Sequence, residues 1–546
     1  MKNIVRLEID GHSLTIEQVV SVARHHTRVE ANASALESLK EMRAGLQVCI
    51  DRGDVIYGVN TGCGSRKTTV LKPEELSAYQ MAYIPAHCCG DGDLLDEEVV
   101  RAAMLIRLNS FLGNHSGLRP LISERLRDFL NLDITPCIPR LGSVGASGDL
   151  VPLAHMSAAL IGMEFAEVFV RGEDGTRTRI PAREALKRHD LETITLQAKE
   201  AMGLTNGANF IAGIGCLAVS DGWALFSESC LSLGLSLEAI RGEKNAFDER
   251  IHKMRPLPGQ LRVAEMMRRL IGDSKRMTEE SRGVSLRNEK PTLDEKGKKV
   301  PRVQDAYSFR CAPQIFASAF HALAHAAEIL QVEINSSTDN PLIFREGDGF
   351  KTISGGNFHG QPLASILEYV GIGLAPLAGS SDRRLFALLS SGTSFGLPDD
   401  LAGPSHGNTG LMIQQYAGAA LVNKIGHLSA PSSVHSVPTS ANQEDWVSMG
   451  MNSALNLREM LPLIRKVIAT EMLAACQGIK LTEDELPLSQ FPLGSGTYPA
   501  YRRICKAFFD GFDSIKPEEW FPDRNTALEV DSIVAMLVSG EFGTTA

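Results

Sequence analysis

What this chain lacks narrows its function first. Its ten cysteines include no Cys-x-x-Cys pair and no metal-ligand spacing; only Cys88 and Cys89 are adjacent. Scattered cysteines of this kind fit reduced, mostly buried thiols rather than a disulfide framework. No concentration of positive charge stands out either. There are 55 basic against 65 acidic residues, a net charge of −10, and phosphate backbones need clustered Lys and Arg. The most basic run, residues 296–302, is short and preceded by acids, so nucleic acid is excluded as the main partner. A charge-free apolar run is missing too: residues 210–240 are interrupted by Asp221, Glu228 and Glu238. That pattern predicts a buried bundle helix, not a membrane span. The first eight residues lack the apolar centre of a signal peptide, so the expected compartment is the cytoplasm. No internal repeat and no low-complexity tract is present.

What remains is an ordinary soluble composition, 43% hydrophobic and 22% charged over 546 residues, enough chain to bury a large core. Residues 1–204 read as a mixed, loop-rich region in which short apolar runs alternate with Gly and Pro. Tyr57-Gly58-Val59-Asn60-Thr61-Gly62-Cys63-Gly64 is its clearest loop. From 205 to 480 the period becomes helical. Ile315, Phe316, Ala319, Phe320, Leu323, Ala326 and Leu330 fall on one helix face, as do Met460, Leu461, Ile464, Val467, Ile468, Met472 and Leu473. The expected fold class is mainly α, a long central helical bundle behind the mixed N-terminal region. Residues 272–302 form a polar segment without amphipathic period, read as a mobile lid. A Pro-rich break after Leu481 precedes a small helical tail, residues 481–546.

The chemistry enters at Gly145-Ala146-Ser147-Gly148-Asp149-Leu150. Three small residues leave room for the amide nitrogen of Gly148 to attack the carbonyl carbon of Ala146. Loss of two waters, one carrying the hydroxyl of Ser147, would leave a five-membered ring with an exocyclic methylidene. Glycine suits the attacking position because it reaches backbone geometries other residues avoid. Such a ring is a carbon electrophile, which no ordinary side chain supplies, and its natural target is an amine. Standing alone, Ala-Ser-Gly is a common surface turn.

The flanks change that reading. The run from Gly142 to Ser157, GSVGASGDLVPLAHMS, resembles the signature of the histidine and phenylalanine ammonia-lyase family, nearest in wording to the histidine version. The resemblance covers roughly residues 50–480. It implies a fumarase/histidase-like fold and a 4-methylideneimidazole-5-one (MIO) ring formed from Ala146, Ser147 and Gly148. It also implies no metal or dissociable cofactor, a small amino acid substrate, and a homotetramer with sites at subunit interfaces.

The same resemblance nominates the other site residues. Tyr57 matches the family's tyrosine-bearing loop, implying the base for the β-proton; in isolation it would be a structural Tyr in a turn. Gln304, Tyr307 and Arg310, in QDAYSFRCAPQ, match the segment after the inner lid, which implies that they line the same pocket, Tyr307 in a catalytic role. Arg310 offers a planar fork suited to a carboxylate, although a lone Arg is more often a surface charge. Asn206 in LTNG matches an asparagine beside the ring. Phe358 in GGNFHG matches an aromatic wall, its plain alternative being a core Phe in a Gly-rich turn. His87 matches a pocket histidine shared by histidine and tyrosine enzymes, so Glu444 in NQED is the more telling residue. A carboxylate there can accept an imidazole N–H, whereas beside a phenyl ring it would be desolvated without a partner.

The expected reaction is MIO-dependent removal of the α-amino group of L-histidine, giving trans-urocanate and ammonia. A histidine 2,3-aminomutase giving β-histidine is the alternative. Tyrosine or phenylalanine lyases and aminomutases rank below it, and a non-catalytic helical scaffold ranks last, because the scattered site residues are all present. The other helical eliminases, the fumarase and argininosuccinate lyase group, carry a Ser-rich loop that Ser432-Ser433-Val434-His435-Ser436 does not resemble. Departures from the family pattern are Cys63, Pro85, Ala208, Gly360-Gln361 and Trp446. The 272–302 segment is also longer than in degradative histidine lyases, a length similar to that of aminomutases.

Overall fold

The computed structural model describes residues 6–543, apart from 173, 301, 404–406 and 512–520. The first five residues, Pro301 of the expected lid and parts of the tail therefore lie outside the described residues. The chain is 56% helical and forms two compact units, each built from three separate segments.

The first unit comprises residues 1–220, 325–368 and 431–458. All strands among the described residues lie in it, and all are short. Arg6–Ile9 pairs parallel with Arg28–Ala31, and Asp91–Leu94 pairs antiparallel with Pro139–Leu141. Ile134–Pro136, Glu167–Arg171 and Arg177–Pro181 make a three-stranded antiparallel sheet, and Leu342–Glu346 forms a hairpin with Gly349–Ile353. Helices carry the core. Glu97–Leu112 is buried along nearly its whole length, and Leu150–Ile161 buries ten of its twelve residues before stopping at the left-handed Gly162. A separate apolar cluster of Met42, Leu46, Ile56, Val59, Leu76 and Ile343 underlies the loop that carries Tyr57. The expected loop-rich mixed region is thus a set of helices braced by small sheets.

The second unit comprises residues 221–324, 369–430 and 459–546. Asn209–Ile240, Gln361–Leu388 and Gly450–Lys480 each run about thirty residues and supply its long helical stretches. Met460, Leu461, Ile464, Val467, Ile468, Met472 and Leu473 are all buried, as their spacing predicts. By length and composition Asn209–Ile240 could cross a membrane, yet 72% of its apolar window is buried inside the protein. Two acids that interrupt it have interior partners. Glu228 meets Arg465 at 2.9 Å. Glu238 accepts from the Gly494 amide at 2.8 Å, Ser274 at 2.7 Å and Thr497 at 3.1 Å. Burial raises both carboxyls above their usual range.

The 272–302 segment is tethered over its first part. Arg276 is fully buried and donates to the Glu238 carbonyl, while Met277 and Leu286 enter the core, Leu286 beside Leu486 and Phe491. Residues 290–298 are exposed, and Leu293 among them bridges to the half-buried Lys299.

A bidentate polar tie in this unit joins Arg384 to Glu471, both fully buried, with Nε–Oε1 at 2.6 Å and Nη2–Oε2 at 2.8 Å. Ser236 and Ser381 hydroxyls fill the remaining acceptor sites of the carboxylate. Removing one partner of such a pair strands the other charge in a low-dielectric interior. Glu471→Ala is expected to lower unfolding free energy by about 3–5 kcal/mol, read by urea denaturation. An unchanged midpoint would show that the pair contributes nothing.

Candidate active site

The tripeptide Ala146-Ser147-Gly148 is bowed between two left-handed glycines, Gly145 at φ +73° and Gly148 at φ +76°, which pair with each other across the bend. Only glycine takes these angles at low cost. Space enforces the same choice: a Cβ on Gly148 would lie 2.1 Å from the Gly207 carbonyl oxygen, and one on Gly145 would lie 2.1 Å from Ser448 Oγ. The bend is held from both sides. Met449 donates its amide to the Val144 carbonyl at 2.9 Å, and Asp149 donates its own to the Gly207 carbonyl at 2.7 Å.

Two donors converge on the Ser147 carbonyl oxygen, the Gly207 amide at 3.1 Å and Asn206 Nδ2 at 3.3 Å. Asn206 is 2% exposed, and its own Oδ1 has no partner among the described residues. Behind the bend, Asp149 Oδ2 accepts the amides of Phe210 and Ile211 at 2.7 and 3.1 Å. These are first-turn amides of helix Asn209–Ile240, whose orphan N–H groups and dipole favour a carboxylate. Burial outweighs them and pushes the Asp149 carboxyl up to about 7. The fully buried Arg107 lies near it; Nη1 donates to Asn209 at 3.0 Å, and burial draws the guanidinium down to about 10.

A cavity of about 790 Å³ opens beside Ser147, entirely within the first unit. Its volume suits an amino acid or a larger small molecule. Six residues nominated from sequence face it together: Tyr57, His87, Ser147, Asn206, Phe358 and Glu444. Tyr57 is held on a loop whose Ile56 and Val59 are buried. Its hydroxyl oxygen accepts the Gly64 amide at 2.9 Å, and burial raises its pKa. Glu444 follows three consecutive left-handed residues, Ser440, Ala441 and Asn442, a strained turn of the kind found where function dictates geometry. Its Oε2 accepts the Thr439 hydroxyl at 3.1 Å.

Gln304, Tyr307 and Arg310 do not line this cavity; they belong to the second unit. Tyr307–Arg310 is a single helical turn with Gln304 in the coil before it. Tyr307 is 69% exposed, with the Arg310 guanidinium 4.6 Å from its ring centroid. Arg310 Nε donates to the Asp305 carbonyl at 3.0 Å.

The sequence reading missed Tyr79 and Tyr83, which line the cavity beside His87. The signal was present: 79, 83 and 87 are spaced by four, one face of helix Leu76–His87. The Cys63 thiol sits against both phenol hydroxyls, and burial pushes it up to about 11. It is a protonated, unreactive wall rather than a nucleophile.

Similarity to known proteins agrees with this geometry. The family model for "Aromatic amino acid lyase" matches residues 14–506. A histidine ammonia-lyase of Caldanaerobacter subterraneus subsp. tengcongensis is 39% identical over 99% of this chain and 98% of its own. One from Chloroflexus aurantiacus is 40% identical over 91% of each chain. Among solved structures, tyrosine aminomutase from Streptomyces globisporus superposes with a TM-score of 0.86 at 31% identity, covering 98% of both chains. Histidine ammonia-lyase from Trypanosoma cruzi gives 0.83 at 30% identity, over 98% of this chain and 94% of that one. A sequence match across nine-tenths of the chain, together with a ring-ready bend and a cavity beside it, places the protein: it belongs to the aromatic amino acid lyase family.

Proposed function

We propose that the protein is a carbon–nitrogen lyase that removes the α-amino group of L-histidine, giving trans-urocanate and ammonia. The observation that carries this reading is the pairing of Glu444 and His87 in the cavity that also exposes Ser147. A carboxylate and an imidazole offer hydrogen-bond partners to an imidazole ring and nothing useful to a phenyl ring. The histidine ammonia-lyase relatives support the same substrate.

The bend fits an MIO ring. Gly148 can bring its nitrogen to Ala146 because it and Gly145 are both left-handed, and the Ser147 carbonyl that the ring would retain already has two donors. The ring would supply the carbon electrophile for the substrate amine. The chain's own residues do the rest. Asn206 and the Gly207 amide stabilise negative charge on the Ser147 oxygen, as preorganised donors do wherever charge develops. Glu444 and His87 orient the substrate ring. Tyr57 acts as the phenolate, its oxygen steadied by the Gly64 amide, and becomes the neutral phenol on taking the β-proton.

Assembly would complete the site. Of the seventeen residues of helix Met412–Leu428 only Gly418 and Ile425 are buried, and Tyr369, Ile372, Phe386, Ile413 and Tyr416 are exposed. Apolar surface of this extent on one unit calls for a partner, and a homotetramer provides it. Gln304, Tyr307 and Arg310 would then bind the substrate carboxylate from a neighbouring subunit, with residues 290–298 as the closing element. Ten free cysteines fit a reducing cytoplasm.

A second reading, histidine 2,3-aminomutase, has its own support in the 0.86 TM-score with a tyrosine aminomutase. Chromatography of the products from L-histidine decides between them. Urocanate and ammonia in equal amounts establish the lyase; early β-histidine establishes the mutase; turnover of tyrosine or phenylalanine alone refutes both. Glu444→Gln is expected to lower kcat/KM for L-histidine about 10- to 100-fold, the loss of one charge-assisted hydrogen bond.

The ring has a test independent of activity. A tryptic fragment spanning residues 142–157 should weigh two waters less than its sequence mass, and Ser147→Ala or Gly148→Ala should restore the full mass. An unmodified wild-type fragment would end the MIO reading. The base is tested by pH. Burial raises the Tyr57 phenol above its ordinary value near ~10, so the phenolate fraction, and kcat with it, should still be climbing as pH rises through 9. Tyr57→Phe should cost about 10²–10⁴-fold and flatten that limb.

A further inference from the structure

His87 is the last residue of helix Leu76–His87; Cys88 already leaves helical geometry at φ −83°, ψ 65°. No later turn of that helix packs on the imidazole, so its orientation has to come from the turn before. One turn back stands Tyr83. The two rings stack with centroids 3.9 Å apart and planes 20° from parallel. His87 Nδ1 lies 2.7 Å from the Tyr83 carbonyl oxygen. A carbonyl can only accept, so Nδ1 carries the proton, and Nε2 of the neutral ring is left as an acceptor.

Tyr83 is itself locked. It is 8% exposed, and its hydroxyl meets the Thr205 hydroxyl and the Cys63 thiol. Thr205 is tied in turn to the Ala201 carbonyl at 2.9 Å, and Tyr79 leans on Tyr83 with centroids 6.2 Å apart. The chain of contacts runs from the helix Glu200–Thr205 through a phenol ring to the imidazole at the cavity wall.

We propose that Tyr83 is a positioning residue for substrate recognition: its stacked ring and its carbonyl together hold His87 in one plane and one tautomer, presenting Nε2 as an acceptor for a ring N–H of the substrate. This rests on the histidine reading of the cavity, but the geometry of His87 does not, and the two can be tested apart. The stack selects the substrate ring rather than the reaction. Loss of the stack should therefore weaken binding of L-histidine and leave the chemical step nearly intact.

The test compares Tyr83→Phe, which keeps the stack and drops the hydroxyl, with Tyr83→Leu, which keeps the carbonyl and drops the stack. Tyr83→Met replaces the leucine variant if that one does not fold. In protein carrying ¹⁵N-labelled histidine, the protonated Nδ1 signal of His87, identified by its absence in His87→Gln, is followed alongside kinetics. Tyr83→Leu should raise KM for L-histidine about 3- to 10-fold, the range an aromatic stack supports, with kcat within about twofold and the Nδ1–H signal lost to exchange. Tyr83→Phe should restore both signal and KM. Unchanged KM and signal in Tyr83→Leu would overturn the proposal, as would a Tyr83→Phe variant equally impaired, which would assign the effect to the hydroxyl. If wild type does not turn over histidine, the substrate reading fails while the imidazole signal still decides the role of Tyr83.

Discussion

The short backbone pairing between residues 147–149 and Gly207 is the constraint on which the site depends. The Asp149 amide donates to the Gly207 carbonyl and the Gly207 amide donates to the Ser147 carbonyl, so the two segments are locked at contact distance. That distance excludes a Cβ on Gly148, which would strike the Gly207 carbonyl; a Cβ on Gly207 would instead lie 2.6 Å from Arg107 Nη1. The same lock points the Ser147 carbonyl at two donors and leaves the Ser147 side chain facing the cavity. Asp149 then fastens the assembly to the first turn of the Asn209–Ile240 helix. Chemistry, backbone conformation and helix placement meet within three residues.

Several charged side chains are fully buried, and the best placed of them have partners. Lys199 and Asp339 pair at 2.6 Å, with Ser116 on the second carboxylate oxygen. Arg107 lies near both Asp149 and Asp339. In the second unit Arg384 and Glu471 pair among long apolar helices. Such groups add little net stability over well-packed apolar residues, yet each tolerates one geometry only. Rigid surroundings of this kind suit a site whose donors must stand ready before charge develops.

The cavity wall shows how local spacing becomes recognition. Tyr79, Tyr83 and His87 share one helix face, and the Cys63 thiol of the Tyr57 loop sits against the two phenols. Glu444 arrives from a different segment on a left-handed turn that no helix or strand could replace. Polar groups on separate elements thus converge on one volume, while the clamp residues Tyr307 and Arg310 stay in the other unit.

Much of this was legible before any coordinates. Helical period marked the long helices at 312–333 and 450–480, because burial of one stripe is a local property of spacing. The acids in 210–240 marked that helix as interior to a bundle, and Glu228 and Glu238 have the interior partners such acids require. The tripeptide and its glycines announced the bend, since positive φ is written into residue type. Six of the nominated residues were recognisable from their motifs, each within a few neighbours of chain. Other features were not. Tyr83 and Tyr79 look like ordinary helix residues until the stack with His87 is seen. The anchored half of 272–302 carries no periodic signal, because its ties are buried arginines reaching carbonyls far away in sequence. Sequence alone determined which residues could do the chemistry and where the chain had to bend. Tertiary structure decided which of them share a cavity, and the reason is distance: contacts such as Ser147 with Asn206, or Gly145 with Ser448, join residues far apart in the chain and depend on packing, which no local pattern encodes.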